Sequence, residues 1–372
     1  MKSQKKRVIT ASALGVAASM VAVGCGVTGA QSGSGDGNGD GPFYEGKTIT
    51  LIVPFDSGGA SDTYSRMLGR YLSDYIEGNP EVVIENVPGG AQKDGLNRFE
   101  RMDHETGEYL AMGSGGLVAS TQFDSDGVQF DLADYETLVA FGGSLIVFGS
   151  TDAGIESLDS LAQSTEPIFY AGLEMNASEV SRTYPLDNMG FADFRPLMGY
   201  DGGGSVTTAV LRGEATIGYS TTSHYTDNVL PLEEDGDIVP LMTQGYVVDG
   251  EVTRDPAFPD LPTMVEAYET LTGETAEGTE WEAVIAITAA STLLRNYWVH
   301  SEAPQEARDA LHEAIAQVVV DEDFLRDSTE SLGIESPAFL GEEADSAMRI
   351  VQELPAETVQ WVQDYIDEIN SR

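Results

Sequence analysis

The segment Thr48-Ile-Thr-Leu-Ile-Val-Pro-Phe-Asp-Ser-Gly-Gly-Ala-Ser-Asp62 constrains this chain more than any other. An apolar, β-branched run stops at Pro54. A glycine turn follows, and apolar residues then recur at Tyr64, Met67, Leu68, Tyr71, Leu72, Tyr75 and Ile76. That spacing is helical. The pattern predicts a buried strand over 48–55 that hands over to a helix over 62–76 through a small-residue loop. Such a loop leaves backbone N–H groups free at a helix N-terminus, where an anion can bind. Asp62 or Ser61 is expected to cap the helix.

The same device recurs. A strand over Val82–Glu85 leads into Asn86-Val-Pro-Gly-Gly90 and a helix through Leu96 and Phe99. A strand over Tyr109–Met112 leads into Gly113-Ser-Gly-Gly116. In an open parallel sheet, such loops gather at the carboxyl edge, where ligands bind. A second unit is expected to start near Gly149, with strands over 167–171, 195–200, 215–219 and 238–243. Its loops are Met175-Asn-Ala-Ser178 and Asp201-Gly-Gly-Gly204. After Trp281, Glu282–Ile287 reads as a strand, and helices follow over Ala303–Val320 and Ala356–Ile369. The expected fold class is α/β: two lobes, each a mostly parallel sheet flanked by helices, with a hinged cleft between them.

The chain is strongly acidic, with 62 Asp and Glu against 19 Lys and Arg and a net charge of −43. The acids are scattered over the whole length rather than gathered in a tail. An acidic shell over an ordinary core is the salt-adapted pattern, since so large a charge serves solubility. Nucleic-acid binding is excluded, because phosphate contacts need clustered Lys and Arg. At molar salt the Debye length is only about 3 Å, so the field barely repels an anionic ligand.

The single cysteine, Cys25, excludes an intrachain disulfide. Lys2, Lys5, Lys6 and Arg7 form a basic start, and Val8 to Val23 is apolar and small. Ala22-Val23-Gly24-Cys25 then resembles a lipobox, with Ala22 where Leu or Val is more usual, and an uncleaved membrane anchor is the alternative. Residues 1–24 are read as a signal peptide and Cys25 as a lipidated N-terminus on the outer face of the cytoplasmic membrane. Removing them takes away four positive charges and no acids, so −43 becomes −47. Lys5-Lys6-Arg7 leaves the export route open. Residues 25–46 are read as a flexible Gly/Ser/Asp tether. Asp36, Asn38, Asp40 and Gly41 imitate the start of a calcium loop, but its twelfth position is Lys47, so they count as linker.

Taken in order, these motifs resemble the extracytoplasmic solute receptors of tripartite tricarboxylate transporters over nearly the whole mature chain. They are Pro54-Phe55-Asp56-Ser57-Gly58-Gly59-Ala60-Ser61-Asp62, Glu85-Asn86-Val87-Pro88-Gly89-Gly90-Ala91 and Gly113-Ser114-Gly115-Gly116. Further along come Gly199-Tyr200-Asp201-Gly202, Arg212-Gly213-Glu214-Ala215-Thr216 and Phe258-Pro259-Asp260-Leu261-Pro262-Thr263-Met264-Val265-Glu266, with Trp281 at the return to the first lobe. The resemblance implies lobes of 47–148 with 282–372, and of 149–281. It implies a receptor that closes on a small organic carboxylate, a di- or tricarboxylate or similar, and delivers it to large and small membrane subunits. A monomer without cofactor or metal is expected.

The ligand-binding residues it suggests are Phe55, Ser57, Gly58, Gly59, Asp62, Pro88, Gly89, Gly90, Ser114, Gly115, Asn176, Ala177, Ser178, Tyr200, Gly202 and Gly203. Glycines allow close backbone approach, and a ring of dipoles binds an anion without a buried counter-ion. Val87 and Asp201 stand where the family carries Arg and Lys. They either change the ligand's charge or are rim positions. Thr288–Val299 carries no family motif.

Other chemistries fit less well. Asp56-Ser57-Gly58-Gly59 imitates the nucleophile segment of trypsin-like proteases. Those enzymes place the histidine before the serine, whereas His104, His224, His300 and His312 all follow it here. No G-x-S-x-G elbow, Walker lysine or H-E-x-x-H is present. A serine hydrolase using Ser57 or Ser114 and a ligand-sensing receptor for a signalling partner remain the alternatives. Asn176-Ala177-Ser178 is also a glycosylation sequon, which its place in a predicted cleft loop reads as ligand contact or helix cap.

Overall fold

The computed structural model describes residues 41–372 apart from 124, 249 and 333–335. The expected signal peptide, Cys25 and most of the tether lie outside the described residues. Among those described, no helix is long and apolar enough to cross a membrane. The tether was expected to reach residue 46, but packed structure starts before that. Tyr44 is fully buried and donates its hydroxyl to Gly107 O at 2.8 Å, while Lys47 Nζ sits 3.4 Å over the Phe43 ring.

Strands β1 (Thr48–Val53), β2 (Glu81–Asn86) and β3 (Tyr109–Gly113) alternate with helices α1 (Ala60–Tyr75), α2 (Lys93–Glu100) and α3 (Gly115–Phe123). Then come β4 (Tyr135–Phe141), β5 (Leu145–Ser150), α4 (Leu158–Ala162), β6 (Ile168–Ala171), α5 (Ala177–Asn188), β7 (Phe194–Leu197) and α6 (Gly203–Leu211). They are followed by β8 (Ile217–Thr221), the short α7 (Thr222–His224) and α8 (Leu230–Glu234), β9 (Ile238–Thr243), and a hairpin of β10 (Tyr246–Val248) and β11 (Glu251–Thr253). The chain ends through α9 (Met264–Thr272), α10 (Thr279–Thr292), β12 (Arg295–His300), α11 (Gln305–Val318), α12 (Glu322–Leu332), β13 (Ala338–Leu340), α13 (Glu342–Gln352) and α14 (Ala356–Ser371).

One sheet has the order β13-β4-β12-β3-β1-β2 and the other β7-β6-β8-β5-β9. The two-lobed α/β architecture is therefore the expected one. The sheets are mixed rather than mostly parallel. β1 pairs in parallel with β2 and β3, whereas β12 and β4 pair antiparallel throughout. In the second sheet β6 pairs in parallel with β7 and β8, and β5 runs antiparallel to β8 and β9. β4 and β12 lack a glycine loop leading into a helix, so the strand–loop–helix pattern passes over them. The chain crosses between sheets at 142–144, a few residues before the Gly149 start expected from sequence.

Glu282–Ile287, expected as a strand, lies inside α10. Nine of its fourteen residues are buried. A helix buried on nearly every side has no polar face, so its 3.6-residue period is invisible and its Val and Ile read as strand. A boundary at residues 281 and 282 would fall within this helix. Trp281 and Val284 join the second sheet's core, Ala286, Ala289 and Ala290 join the first, and Ala283 and Ile287 pack with α5 and α14.

Candidate functional site

β1 stops at Pro54, which cannot extend the ladder. Gly58 takes a left-handed φ of 86° and Gly59 becomes the N-cap of α1 without any side-chain cap. Neither Asp62 nor Ser61 is therefore the cap. Asp62 lies in the first turn, and its carboxylate reaches back to the Gly58 N–H at 2.7 Å. Gly59 N–H points at Asp56 O at 3.4 Å. The two glycine amides expected to hold an anion are thus already engaged. The open donors shift to the first turn of α1, residues 60–62, where helical bonding starts only with Thr63 N–H to Gly59 O at 2.9 Å.

Asp62 does more than serve its own loop. It is 1% exposed and accepts from Arg66 Nε at 3.0 Å and Asn86 Nδ2 at 2.9 Å. Asn86 Nδ2 also donates to Phe55 O at 3.0 Å, and Arg66 Nη2 donates to Asn86 Oδ1 at 2.9 Å. This triangle ties the loop after β1 to the loop after β2. Burial alone would raise the Asp62 pKa, but the hydrogen bonds from Arg66, Gly58 and Asn86 outweigh it and lower it to about 2. From this loop a cavity of 1270 Å³ opens along α1 past Arg70 to Val82 of β2 and Asp327 of α12.

In the second loop four successive residues have positive φ: Gly89 (126°), Gly90 (54°), Ala91 (51°) and Gln92 (78°). Ala91 and Gln92 are strained there, at about 1–2 kcal/mol each. Two bonds offset part of this. Gln92 Nε2 donates to Ser114 Oγ at 2.7 Å, and Ser114 N–H donates to Gln92 Oε1 at 2.9 Å. Ser114 Oγ also accepts from Leu117 N–H at 3.3 Å, which leaves its own proton to donate. The loops after β1, β2 and β3 thus form one connected edge that brings together Phe55, Ser57, Gly58, Gly59, Asp62, Pro88, Gly89, Gly90 and Ser114. Gly115 does not belong with them. It is buried, and its N–H donates to Leu293 O at 2.9 Å.

In the second lobe Asn176 is the N-cap of α5. Its Oδ1 accepts from Ser178 N–H at 2.9 Å and Glu179 N–H at 3.4 Å. Ala177 packs on the cluster of Met175, Val180 and Ile287. The loops after β6 and β7 are joined by Gly199 N–H to Leu173 O at 2.8 Å and Tyr200 N–H to Gly172 O at 3.2 Å. Gly202 N–H is capped by Ser205 Oγ at 3.1 Å. Gly203 lies against the His224 ring. Asn228 Nδ2 lies 3.1 Å from His224 Nδ1, while His224 Nε2 is buried without a hydrogen-bond partner among the described residues.

Beneath these loops Glu179 and Arg182 form a buried pair at 3.0 Å. Tyr170 and Tyr219 donate to Glu179 at 2.9 and 2.8 Å, and the Arg182 guanidinium lies 4.5 Å over the Tyr219 ring. Burial would raise the Glu179 pKa, but Arg182 and the two phenols hold it below its ordinary value.

The lobes meet where the chain crosses between them. Gly143 N–H donates to Thr292 O at 2.9 Å, and Gly245 N–H donates to Ser144 Oγ at 3.1 Å. Gln244 Nε2 reaches Ser181, Thr288 and Ser291 at 2.8, 3.2 and 3.1 Å. Gln92, Arg66, His224 and Gln244 all escaped the sequence reading. Only Arg66 left a signal, four residues after Asp62 on a helix.

Glu100, Asp134 and His300 gather at the opposite end of the first sheet, with ligand atoms within 4.8 Å of one another. His300 Nδ1 accepts from Glu302 N–H at 3.2 Å, which leaves the proton on Nε2, the nitrogen 4.0 Å from Glu100. That geometry presents a donor to the acids rather than a lone pair to a metal.

Two lobes, each with glycine-rich loops at one edge of a sheet, define the solute-binding-protein fold. No protein-family model and no curated protein matches the chain. Solved structures do. A TctC solute-binding protein from Polaromonas, without ligand, has a TM-score of 0.64 at 16% identity over 87% of this chain and 99% of that one. An R. palustris protein with adipate has a TM-score of 0.54 at 18% identity, over 87% and 97% of the two chains. MatC from Rhodopseudomonas palustris with bound malate has a TM-score of 0.51 at 16% identity, over 86% and 99%. At these identities the likeness is one of fold.

Proposed function

We propose that this chain is the extracytoplasmic receptor of a tripartite tricarboxylate-type transporter and captures a small organic carboxylate between its lobes. The observation that carries this reading is the Asp62–Asn86 link. It holds two glycine loops together at a sheet edge, where the first-turn amides of α1 and the hydroxyl of Ser114 can meet one carboxylate. Fixed dipoles hold an anion without the desolvation cost of a buried counter-ion. The fold shared with proteins solved with malate and adipate supports the same ligand class. Asn176, Ser178, Tyr200, Gly202 and Gly203 approach the solute's far side when the lobes close about the crossings at 142–144 and 244–245.

The chain is anchored through lipidated Cys25, carries its acidic surface as salt adaptation, and hands its solute to large and small membrane subunits. The test is thermal unfolding at molar salt with mono-, di- and tricarboxylates. A bound carboxylate at a hundredfold excess over Kd stabilises by about 2.7 kcal/mol. Stabilisation by a sugar or a cation and by no carboxylate would sink the reading.

A further inference from the structure

Arg295 opens β12 at the same sheet edge as the glycine loops, and the register shows where. Asn296 pairs with Gly113 of β3, so Arg295 stands opposite Ser114. Ile52 of β1 pairs with Ala111, and three residues further on Phe55 is level with Ser114. Arg295 therefore stands at the strand ends from which the loops after β1 and β3 leave. By strand alternation Arg295 shares the face of Tyr297, which packs on α1.

The guanidinium is held there without an acid. Its Cζ lies 5.1 Å over the Tyr64 ring of α1, and its Nε is buried with no hydrogen-bond partner. No carboxylate reaches Arg295 among the described residues. Nine other arginines are ion-paired. In a chain with 62 acids against 19 bases, an unpaired, half-buried cation is the exception. Burying it costs desolvation that the Tyr64 face offsets only in part. An anion from outside removes the rest.

We propose that Arg295 binds a second carboxylate of the solute, so that the receptor selects dianions over monoanions. This inference rests on the carboxylate-receptor reading.

The test is calorimetric titration of the full chain at molar salt with two matched pairs, succinate against butyrate and adipate against hexanoate. Wild type is expected to prefer the diacid of at least one pair. Arg295→Gln is expected to weaken that diacid by about tenfold or more, as befits a lost charged hydrogen bond, and to change its monoacid partner by about twofold at most. Arg295→Lys keeps the charge but loses the fork, and should fall between. Unliganded Arg295→Gln should unfold at or above the wild-type midpoint, because an unpaired charge has been removed. An unchanged diacid-to-monoacid ratio in Arg295→Gln overturns the inference and leaves the receptor reading standing. Wild type that binds none of the four anions overturns the inference, and if no mono-, di- or tricarboxylate stabilises it the receptor reading falls as well.

Discussion

Gly115 of α3 rests directly on the carbonyl oxygen of Ala290 of α10, with no room for a side chain between them. The contact joins the third loop of the first lobe to the helix shared by both lobes. Gly115→Ala is therefore expected to force the two helices apart and cost about 3 kcal/mol as an overpacked core. Urea unfolding should show a lower midpoint with an unchanged slope. A midpoint equal to wild type would show that the helices can separate at no cost.

Asp62 gives a pH signature. Its pKa is about 2 in the fold against 3.8 for the free group. A depressed pKa contributes stability above the unfolded value and loses it as pH falls through the folded one. The contribution, about 2 kcal/mol, should disappear between about pH 4 and pH 2. The difference in unfolding free energy between wild type and Asp62→Asn should shrink over that window. A difference independent of pH would contradict the network with Arg66 and Asn86.

The Glu179–Arg182 pair is expected to be strongly coupled. Removing one partner leaves the other charged and buried, so Arg182→Met should cost about 3–5 kcal/mol. Glu179→Gln combined with Arg182→Met should recover much of that loss. A double-mutant cycle in urea measures the coupling, and additive losses would mean that the pair does not act as a unit.

Gly58 tests the first loop. A methyl group there meets nothing within 4 Å, but φ is 86°. Gly58→Ala should therefore disfavour the loop conformation by about 1–2 kcal/mol and weaken carboxylate binding roughly tenfold. Calorimetry with the same anion reads this directly, and unchanged affinity would remove the loop from the site.

The net charge of −43 makes salt a stabiliser. Raising salt from about 0.1 M to about 1 M shortens the Debye length from about 10 to about 3 Å. The thermal midpoint should rise over that range. A flat or falling midpoint would argue against a salt-adapted surface.

Much of the candidate site is legible as loops because their signals are local. Ser57, Gly58, Gly89, Gly90, Ser114 and Tyr200 stand in loops marked by glycine, proline and the switch from strand to helix period. Their partners were not legible. Asn86 reaches Asp62 across 24 residues of chain, Gln92 reaches Ser114 across 22, and Arg295 comes to the loop edge only because β12 returns beside β3. The reading of Gly115 as a binding glycine failed for a related reason. A glycine in a loop motif looks the same whether a ligand or another helix approaches it.

The sequence by itself determined the strand–glycine-loop–helix units and the amphipathic faces of α1 and α11. These follow from side-chain period and turn chemistry, which act within a few residues. Only the tertiary structure decided that the sheets are mixed, that α10 is a helix serving both lobes, and that Gly58 spends its amide on Asp62. Only there does Arg295 come to stand unpaired beside the loops. Strand neighbours, burial on every side and hydrogen bonds between loops are set by distant parts of the chain meeting, and no local pattern encodes them.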